Sequence, residues 1–221
     1  VTEHDPIVRQ ALEQLTSAVL SDTLDSLGLI HQIMEHTIRP LDETLVLCGR
    51  ARTGNFREVH EPIPRKDVYE PLAEMVDALR PDDVMVLACG RSGRIQAWGD
   101  LVSTAAQVRG AAGCVTDGLV RDVRELRRLR FPVFSAGHSA IGTRGRAALV
   151  SRDTPVECAG VWVSPGDLVF GDVDGIVVIP QGVEADVLRK AAEQAAREHA
   201  LVRSLRGGAP IRDAYVHFRS L

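Results

Sequence analysis

Residues 84–134 constrain the fold more than any other part of the chain. Val84-Met-Val-Leu-Ala88 is apolar at every position, which predicts a strand covered on both faces. Gly90 to Gly93 turns the chain into a second short strand, Ile95 to Trp98. A helix is expected from Asp100 to Arg109, ended by Gly110. Gly113 to Thr116 then reads as a strand, Val120 to Leu129 as a helix, and Phe131 to Phe134 as a strand. The order β-β-α-β-α-β is the alternation of an α/β layer structure.

The flanks add helices and short strands. From Pro6 to Leu20 the apolar residues Ile7, Val8, Ala11, Leu12, Leu15 and Val19 recur at helical spacing. Ser21-Asp22 predicts an N-cap for a short helix, 23–27, closed by Gly28. Residues 45–56 read as a strand in which Gly49 and Gly54 permit bends. Residues 57–67 hold Pro62, Pro64 and many charges and read as a surface loop. Helical period returns over 67–79, and Pro81-Asp82-Asp83 is a turn. Beyond residue 146, short β-type runs at 161–163, 168–170 and 176–179 are separated by Pro165-Gly166-Asp167 and Asp172-Val-Asp-Gly175. A long helix is expected over 183–205, with Leu188, Ala191, Ala195, His199 and Val202 on one face. No repeat, low-complexity tract or linker interrupts this series, so a single domain over 1–221 is expected.

Charge and cysteine usage narrow the class. The net charge of −4, from 26 Lys+Arg and 30 Asp+Glu, is too mild for a nucleic-acid partner and does not favour an anionic membrane surface. No apolar run approaches the ~20 residues of a membrane span. The N-terminal stretch lacks the basic-then-apolar pattern of a leader. Cys48, Cys89, Cys114 and Cys158 form no CxxC pair and no zinc spacing with histidine. Each sits in an apolar stretch, which predicts buried thiols in a reducing, cytoplasmic compartment.

Two strand-to-helix junctions carry the chemistry. The first is Trp98-Gly99-Asp100-Leu101, where the first N–H groups of a helix lack intrahelical acceptors and can bind an anion. A substrate carboxylate could take hydrogen bonds there from the amides around Leu101 and Val102, with Gly99 allowing close approach. The second is Val115-Thr-Asp117-Gly118-Leu-Val-Arg121-Asp122. If the two strands are parallel neighbours, both junctions lie at the carboxyl edge of the sheet, where α/β proteins place ligands. Arg121 can clamp a carboxylate, and Asp122 can hold Mg²⁺ or Mn²⁺. Taken singly, Asp100 reads equally as a helix N-cap, Arg121-Asp122 as a solvated pair, and Asp117-Gly118 as turn chemistry. Arg124, Arg127, Arg128 and Arg130 read as one exposed helix face. His60 and His138 fall in loop-like segments.

Several blocks together resemble one known family. They are Ser21-Asp-Thr-Leu-Asp-Ser-Leu-Gly28, Trp98-Gly-Asp-Leu101, Gly113-Cys-Val-Thr-Asp-Gly-Leu-Val-Arg-Asp-Val123, Phe131-Pro-Val-Phe134 and Pro165-Gly-Asp-Leu-Val-Phe-Gly-Asp-Val-Asp-Gly-Ile-Val-Val-Ile-Pro180. In this order, over about residues 15–185, they resemble the RraA-like family. That family includes the class II 4-hydroxy-4-methyl-2-oxoglutarate / 4-carboxy-4-hydroxy-2-oxoadipate aldolases and the ribonuclease E inhibitor RraA. The aldolase signature, an Asp, twenty residues, then Arg-Asp, is matched by Asp100, Arg121 and Asp122.

The resemblance implies a β/β/α sandwich of the swivelling-domain type with a C-terminal helix at about 183–206, assembled as a trimer or hexamer with sites between subunits. It implies that the backbone of Gly99, Asp100, Leu101 and Val102 cradles the pyruvoyl end of a small 2-oxo acid and that Arg121 binds its carboxylate and keto oxygen. Asp122 would be the protein ligand of Mg²⁺, with Asp100 holding one of the waters around it. Val102 stands where the family usually has Leu. The implied reaction is retro-aldol cleavage releasing pyruvate, with oxaloacetate decarboxylation as a second activity. The alternative is an RraA-type regulator that binds a ribonuclease through an outer face. No lysine lies within 84–134, which argues against a Schiff-base aldolase built there. Gly90-Arg-Ser-Gly93 and Gly110-Ala-Ala-Gly113 are poor versions of the glycine-rich loop a methyltransferase needs.

Overall fold

A computed structural model describes residues 6–7, 11, 14–60 and 68–219. Of the expected N-terminal helix, Val8 and Leu12 lie outside the described residues, as do Pro62 and Pro64 of the expected loop. The strands are β1 (Arg39–Pro40), β2 (Leu47–Glu58), β3 (Asp83–Ala88), β4 (Gln96–Trp98), β5 (Gly113–Val120), β6 (Val133–His138), β7 (Ala147–Arg152), β8 (Val156–Cys158), β9 (Val161–Val163), β10 (Leu168–Gly171) and β11 (Ile176–Ile179). The helices are α1 (Ser17–Ser26), α2 (Glu70–Asp77), α3 (Asp100–Val108), α4 (Val123–Leu129), α5 (Glu184–Arg206) and α6 (Ile211–Arg219).

The apolar run at 84–88 sits at the centre because both of its faces are spoken for. Met85 and Leu87 pack with Leu72, Met75 and Val76 of α2 and Leu126 of α4. Val84, Val86 and Ala88 point the other way, into a cluster with Val115, Phe134 and Val156, Val161 and Val163 of the β8–β9 hairpin. The period of two splits one strand between two cores. The main sheet runs β1-β6-β5-β3-β2-β10-β11, with β4 paired to β5 and β7 paired to β2. Hairpin, sheet and helices give the mixed α/β architecture with β/β/α layering that the sequence led us to expect. A third cluster seats α1 and α5 against Leu168, Phe170, Val177 and Ile179 of the β10–β11 hairpin.

Register places the functional edge. β3 pairs in parallel with β2 and β5, and β5 pairs in parallel with β4 and β6. The carboxyl ends of these strands therefore share one margin of the sheet.

Three local expectations change. Residues 17–26 form one helix, and Ser21-Asp22 does not cap a second. Thr16 is the cap, its Oγ1 accepting the Val19 N–H at 3.3 Å. Val19, Leu20, Thr23 and Leu24 form a continuous buried stripe, so Ser21 and Asp22 ride on the outer face. A second C-terminal helix, α6, follows α5 after the Gly207-Gly208 turn.

The third change concerns Asp117-Gly118, which does not turn. β5 runs through it to Val120, and α4 begins only at Val123. Asp117 is 3 % exposed. Its carboxylate accepts the N–H of Cys89, that of Arg91 at 3.2 Å and that of Ala159 at 3.4 Å. Gly118 is required for close packing, since a Cβ there would lie 2.6 Å from Cys89 Sγ. Buried partners override the local turn preference. Asp117→Ala leaves three N–H groups without their acceptor and is expected to cost about 3 kcal/mol. The variant should melt roughly 6–12 °C below the parent by calorimetry; a melting point within about a degree of the parent would show that the anchor is idle.

Cys48, Cys89, Cys114 and Cys158 are all buried. Desolvation pushes the Cys89 thiol up to about 12 and the Cys114 and Cys158 thiols well above the ordinary range. At pH 8 a disulfide-exchange reagent is expected to find these three unreactive in the native protein and reactive once urea unfolds it. Rapid labelling of Cys89 without unfolding would contradict this burial.

Candidate active site

The site is assembled from two strand ends. β4 finishes at Trp98, which is fully buried, stacks on Phe131 with ring centroids 6.5 Å apart and donates from Nε1 to Ser103 Oγ at 2.6 Å. Strand end and helix start are thereby locked together. Gly99, in extended conformation, is the N-cap of α3, so Asp100 is the first helical residue and not the cap. A Gly cap has no side chain to satisfy the first amides. Ser103 N–H bonds back to Gly99 O at 3.1 Å, leaving Asp100, Leu101 and Val102 N–H without intrahelical acceptors. Asp100 Oδ1 takes the Leu101 N–H at 2.7 Å.

β5 leaves the sheet beside β4, and Arg121 N–H donates to Trp98 O at 3.2 Å. Asp122 then adopts the left-handed conformation, φ 60° and ψ 31°, which aspartate tolerates better than most residues. Its carbonyl accepts the Glu125 and Leu126 N–H groups and so starts α4. This reversal sets the two adjacent side chains at the same sheet edge. Arg121 Nε lies 3.3 Å from Asp122 Oδ2, and the side chains are 39 % and 35 % exposed. A Cβ on residue 99 would stand 2.9 Å from Asp122 Oδ2 and 3.5 Å from Arg121 Cγ, so the glycine is what admits the pair. Across the opening, Gly142 passes close to Arg121, its notional Cβ being 3.6 Å from NH1.

Gly99, Asp100, Leu101, Val102, Arg121 and Asp122 all line one cavity of about 320 Å³. The second junction lies at Val120-Arg121, three residues later than Asp117-Gly118, yet it opens on the same space as the first. A neighbouring depression, shared by Arg121 and Asp122, is bordered by His138 and Ser139 at the end of β6. His60 is exposed two residues past β2. Arg124, Arg127, Arg128 and Arg130 are exposed on α4 and its C-cap, with Arg128 paired to Glu125 and Arg130 to Asp42.

Among the described residues no group of three or more His, Cys, Asp or Glu is placed to hold a metal ion. A closed zinc site, which needs four protein donors, is therefore not built from these residues. Asp122 and Asp100 offer carboxylate oxygens only. Such a sparse, hard donor set fits Mg²⁺ or Mn²⁺, since magnesium keeps most of its waters and takes one or two carboxylates.

The rest of the cavity was not anticipated. Phe56 of β2, Val68 and Tyr69 before α2, Leu72 and Ala73 on α2, and Thr143 supply its remaining walls. Nothing local marks them, because they lie tens of residues from Arg121 in sequence and read as ordinary core or loop positions.

The family described as RraA-like (Aldolase/RraA) matches residues 17–178. A protein of Halalkalibacterium halodurans, provisionally named a 4-hydroxy-4-methyl-2-oxoglutarate aldolase, is 36 % identical over 192 residues, covering 86 % of this chain and 85 % of that one. The crystal structure of an uncharacterized protein from Pseudomonas syringae pv. tomato superposes with a TM-score of 0.82 at 25 % identity, covering 97 % of this chain and 99 % of that one. Streptomyces coelicolor RraAS2, described as an unusual member of the RNase ES inhibitor RraA protein family, superposes with a TM-score of 0.77 at 26 % identity, covering 90 % and 96 %.

Proposed function

The chain belongs to the RraA-like family, and from that premise we propose that it is a divalent-metal-dependent lyase. The reaction is retro-aldol cleavage of a 4-hydroxy-2-oxo acid with release of pyruvate, and oxaloacetate decarboxylation is its second activity. One observation carries this reading: Asp100, Arg121 and Asp122 line a single cavity at the start of α3. The aldolase name of the Halalkalibacterium relative supports it.

The residues divide the work as follows. The Val102 amide and its helical neighbours hold the substrate carboxylate at a positive helix end. Arg121 adds a guanidinium at the keto oxygen, where negative charge grows as the C3–C4 bond breaks. The proton leaves the C4 hydroxyl, whose oxygen becomes the carbonyl of the departing fragment. The C3–C4 electron pair moves into the pyruvate enolate, which takes a proton at C3. Asp100, whose Oδ2 has no protein donor among the described residues, holds the water that relays the proton. Asp122 would hold Mg²⁺ or Mn²⁺, which when bound would supply Lewis-acid polarisation at the keto oxygen. Decarboxylation of oxaloacetate passes through the same enolate and needs the same groups.

Leu101 stands 78 % exposed beside the opening. The family resemblance supports a homotrimer or hexamer with sites between subunits; light scattering showing a monomer at working concentration would overturn it. No described helix is long and apolar enough to cross a membrane.

The deciding experiment is a lactate-dehydrogenase-coupled pyruvate assay. The substrates are oxaloacetate, 4-hydroxy-4-methyl-2-oxoglutarate and 4-carboxy-4-hydroxy-2-oxoadipate, each with and without EDTA. Pyruvate release abolished by EDTA and restored by Mg²⁺ supports the lyase. The likeness to RraAS2 favours a second reading, a regulator acting through an outer protein-binding face. No turnover of any of the three substrates, with ribonuclease inhibition indifferent to EDTA, would select it.

A further inference from the structure

We propose that His138, with Ser139 beside it, binds the distal carboxylate of a 2-oxo diacid and so sets the substrate preference of the site. The inference rests on the lyase reading above and adds the residues that recognise the far half of the substrate.

Strand register brings these residues to the site. At its end β5 lies between β4 and β6, with Trp98 opposite Val120 on one side and His138 opposite Val120 on the other. Three strand ends thus stand in one row, and the residues that follow them are Gly99, Arg121 and Ser139. The same hydrogen-bond step ties each to its neighbour: Arg121 N–H donates to Trp98 O at 3.2 Å, and Ser139 N–H donates to Val120 O at 2.9 Å. Arg121 and Asp122 line the cavity at the start of α3 and also the depression of about 380 Å³ that contains His138, Ser139 and Ala140. The charged pair is therefore the middle of a path that runs from α3 to the end of β6.

The chemistry along that path suits a diacid. The oxo-acid end lies at the first amides of α3, with Arg121 at the keto oxygen. From β4 to β6 is two strand spacings, about 10 Å. A short diacid with a hydrogen bond of about 3 Å at each end covers that span. At β6 it meets two donors. The His138 imidazole donates from a ring nitrogen whether neutral or protonated, and His138 is exposed at the last position of the strand. Ser139 Oγ accepts the Ile141 N–H at 3.4 Å, which leaves its own proton to give. Hydrogen bonds from such groups to an ionised carboxylate are the strong kind.

The test is titration calorimetry of the full chain with saturating Mg²⁺. The ligands are pyruvate, 2-oxopentanoate and 2-oxoglutarate, the last two differing only in the distal carboxylate. The parent is expected to bind 2-oxoglutarate about tenfold more tightly than 2-oxopentanoate, the size of a hydrogen bond to a charged group. His138→Ala should erase most of that ratio, whereas pyruvate, which has no distal half, should bind as it does to the parent. His138→Gln keeps an N–H donor and should recover part of the ratio. Ser139→Ala, a smaller change at the same strand end, should narrow it in the same direction. In the coupled assay with 4-hydroxy-4-methyl-2-oxoglutarate the His138→Ala loss should fall on KM and spare kcat, because the far contact is the same before and during bond cleavage. A parent that binds 2-oxoglutarate no better than 2-oxopentanoate, or a His138→Ala protein with the parent's preference, would overturn the inference and leave the lyase intact. Loss of pyruvate binding in that variant would place His138 with the oxo-acid end and overturn it as well. A parent that binds none of the three would overturn the lyase reading too.

Discussion

Asp122→Asn is expected to lower magnesium-dependent pyruvate release by about 10³-fold or more, the size of the charge stabilisation a bound divalent ion supplies. Asparagine is the informative replacement because residue 122 is left-handed, with φ 60°. Asn and Asp both visit that region, whereas an ordinary L-residue there costs about 1–2 kcal/mol. Asp122→Asn therefore removes the anionic oxygen while keeping the chain reversal that starts α4. Asp122→Ala should lose the same activity and melt lower as well. The measurement is the coupled pyruvate assay over a magnesium titration, with calorimetry alongside. An asparagine variant with full magnesium-dependent turnover would remove Asp122 from the metal site.

Arg121→Ala is expected to lose on the order of 3 kcal/mol of transition-state stabilisation, or more, a drop of about 10²-fold or greater in kcat/KM. The guanidinium lies 3.3 Å from Asp122 Oδ2 and lines the cavity with its neighbour. Because the charge it meets grows during bond breaking, the loss should fall on kcat as well as KM. Arg121→Lys should recover only part of it, since an ammonium cannot reproduce the planar two-point fork. Arg121 is partly exposed and its backbone N–H bond to Trp98 O does not involve the side chain, so the fold should survive. A near-normal kcat/KM in the alanine variant would take Arg121 out of the mechanism.

Much of the architecture could be read from local pattern. The apolar run at 84–88, the short strand before Gly99 and the alternation through residue 134 reappear as β3, β4, α3, β5, α4 and β6 in that order. The Arg121-Asp122 pair was equally visible, although the sequence set it in the first turn of a helix from Val120, whereas β5 runs to Val120 and α4 begins at Val123. The misreadings share one cause. Asp117-Gly118 carries a strong turn preference, but three N–H groups from residues 89, 91 and 159 hold the aspartate in place, and none of them is near it in sequence. Ser21-Asp22 looks like a cap only when the buried stripe it interrupts is ignored.

By itself the sequence determined the strands and helices of residues 84–134, the order in which they come, and that an arginine and an aspartate stand side by side at a strand-to-helix junction. Those properties follow from periodicity and from the few residues on either side of a junction. Only the tertiary structure decided that Asp100 meets that pair across a shared cavity, because this depends on β4 lying parallel to β5. Only it placed Phe56, Val68 and Leu72 along the rest of the wall. Strand pairing and burial are won between residues far apart in the chain, so no window of sequence contains the information that sets them.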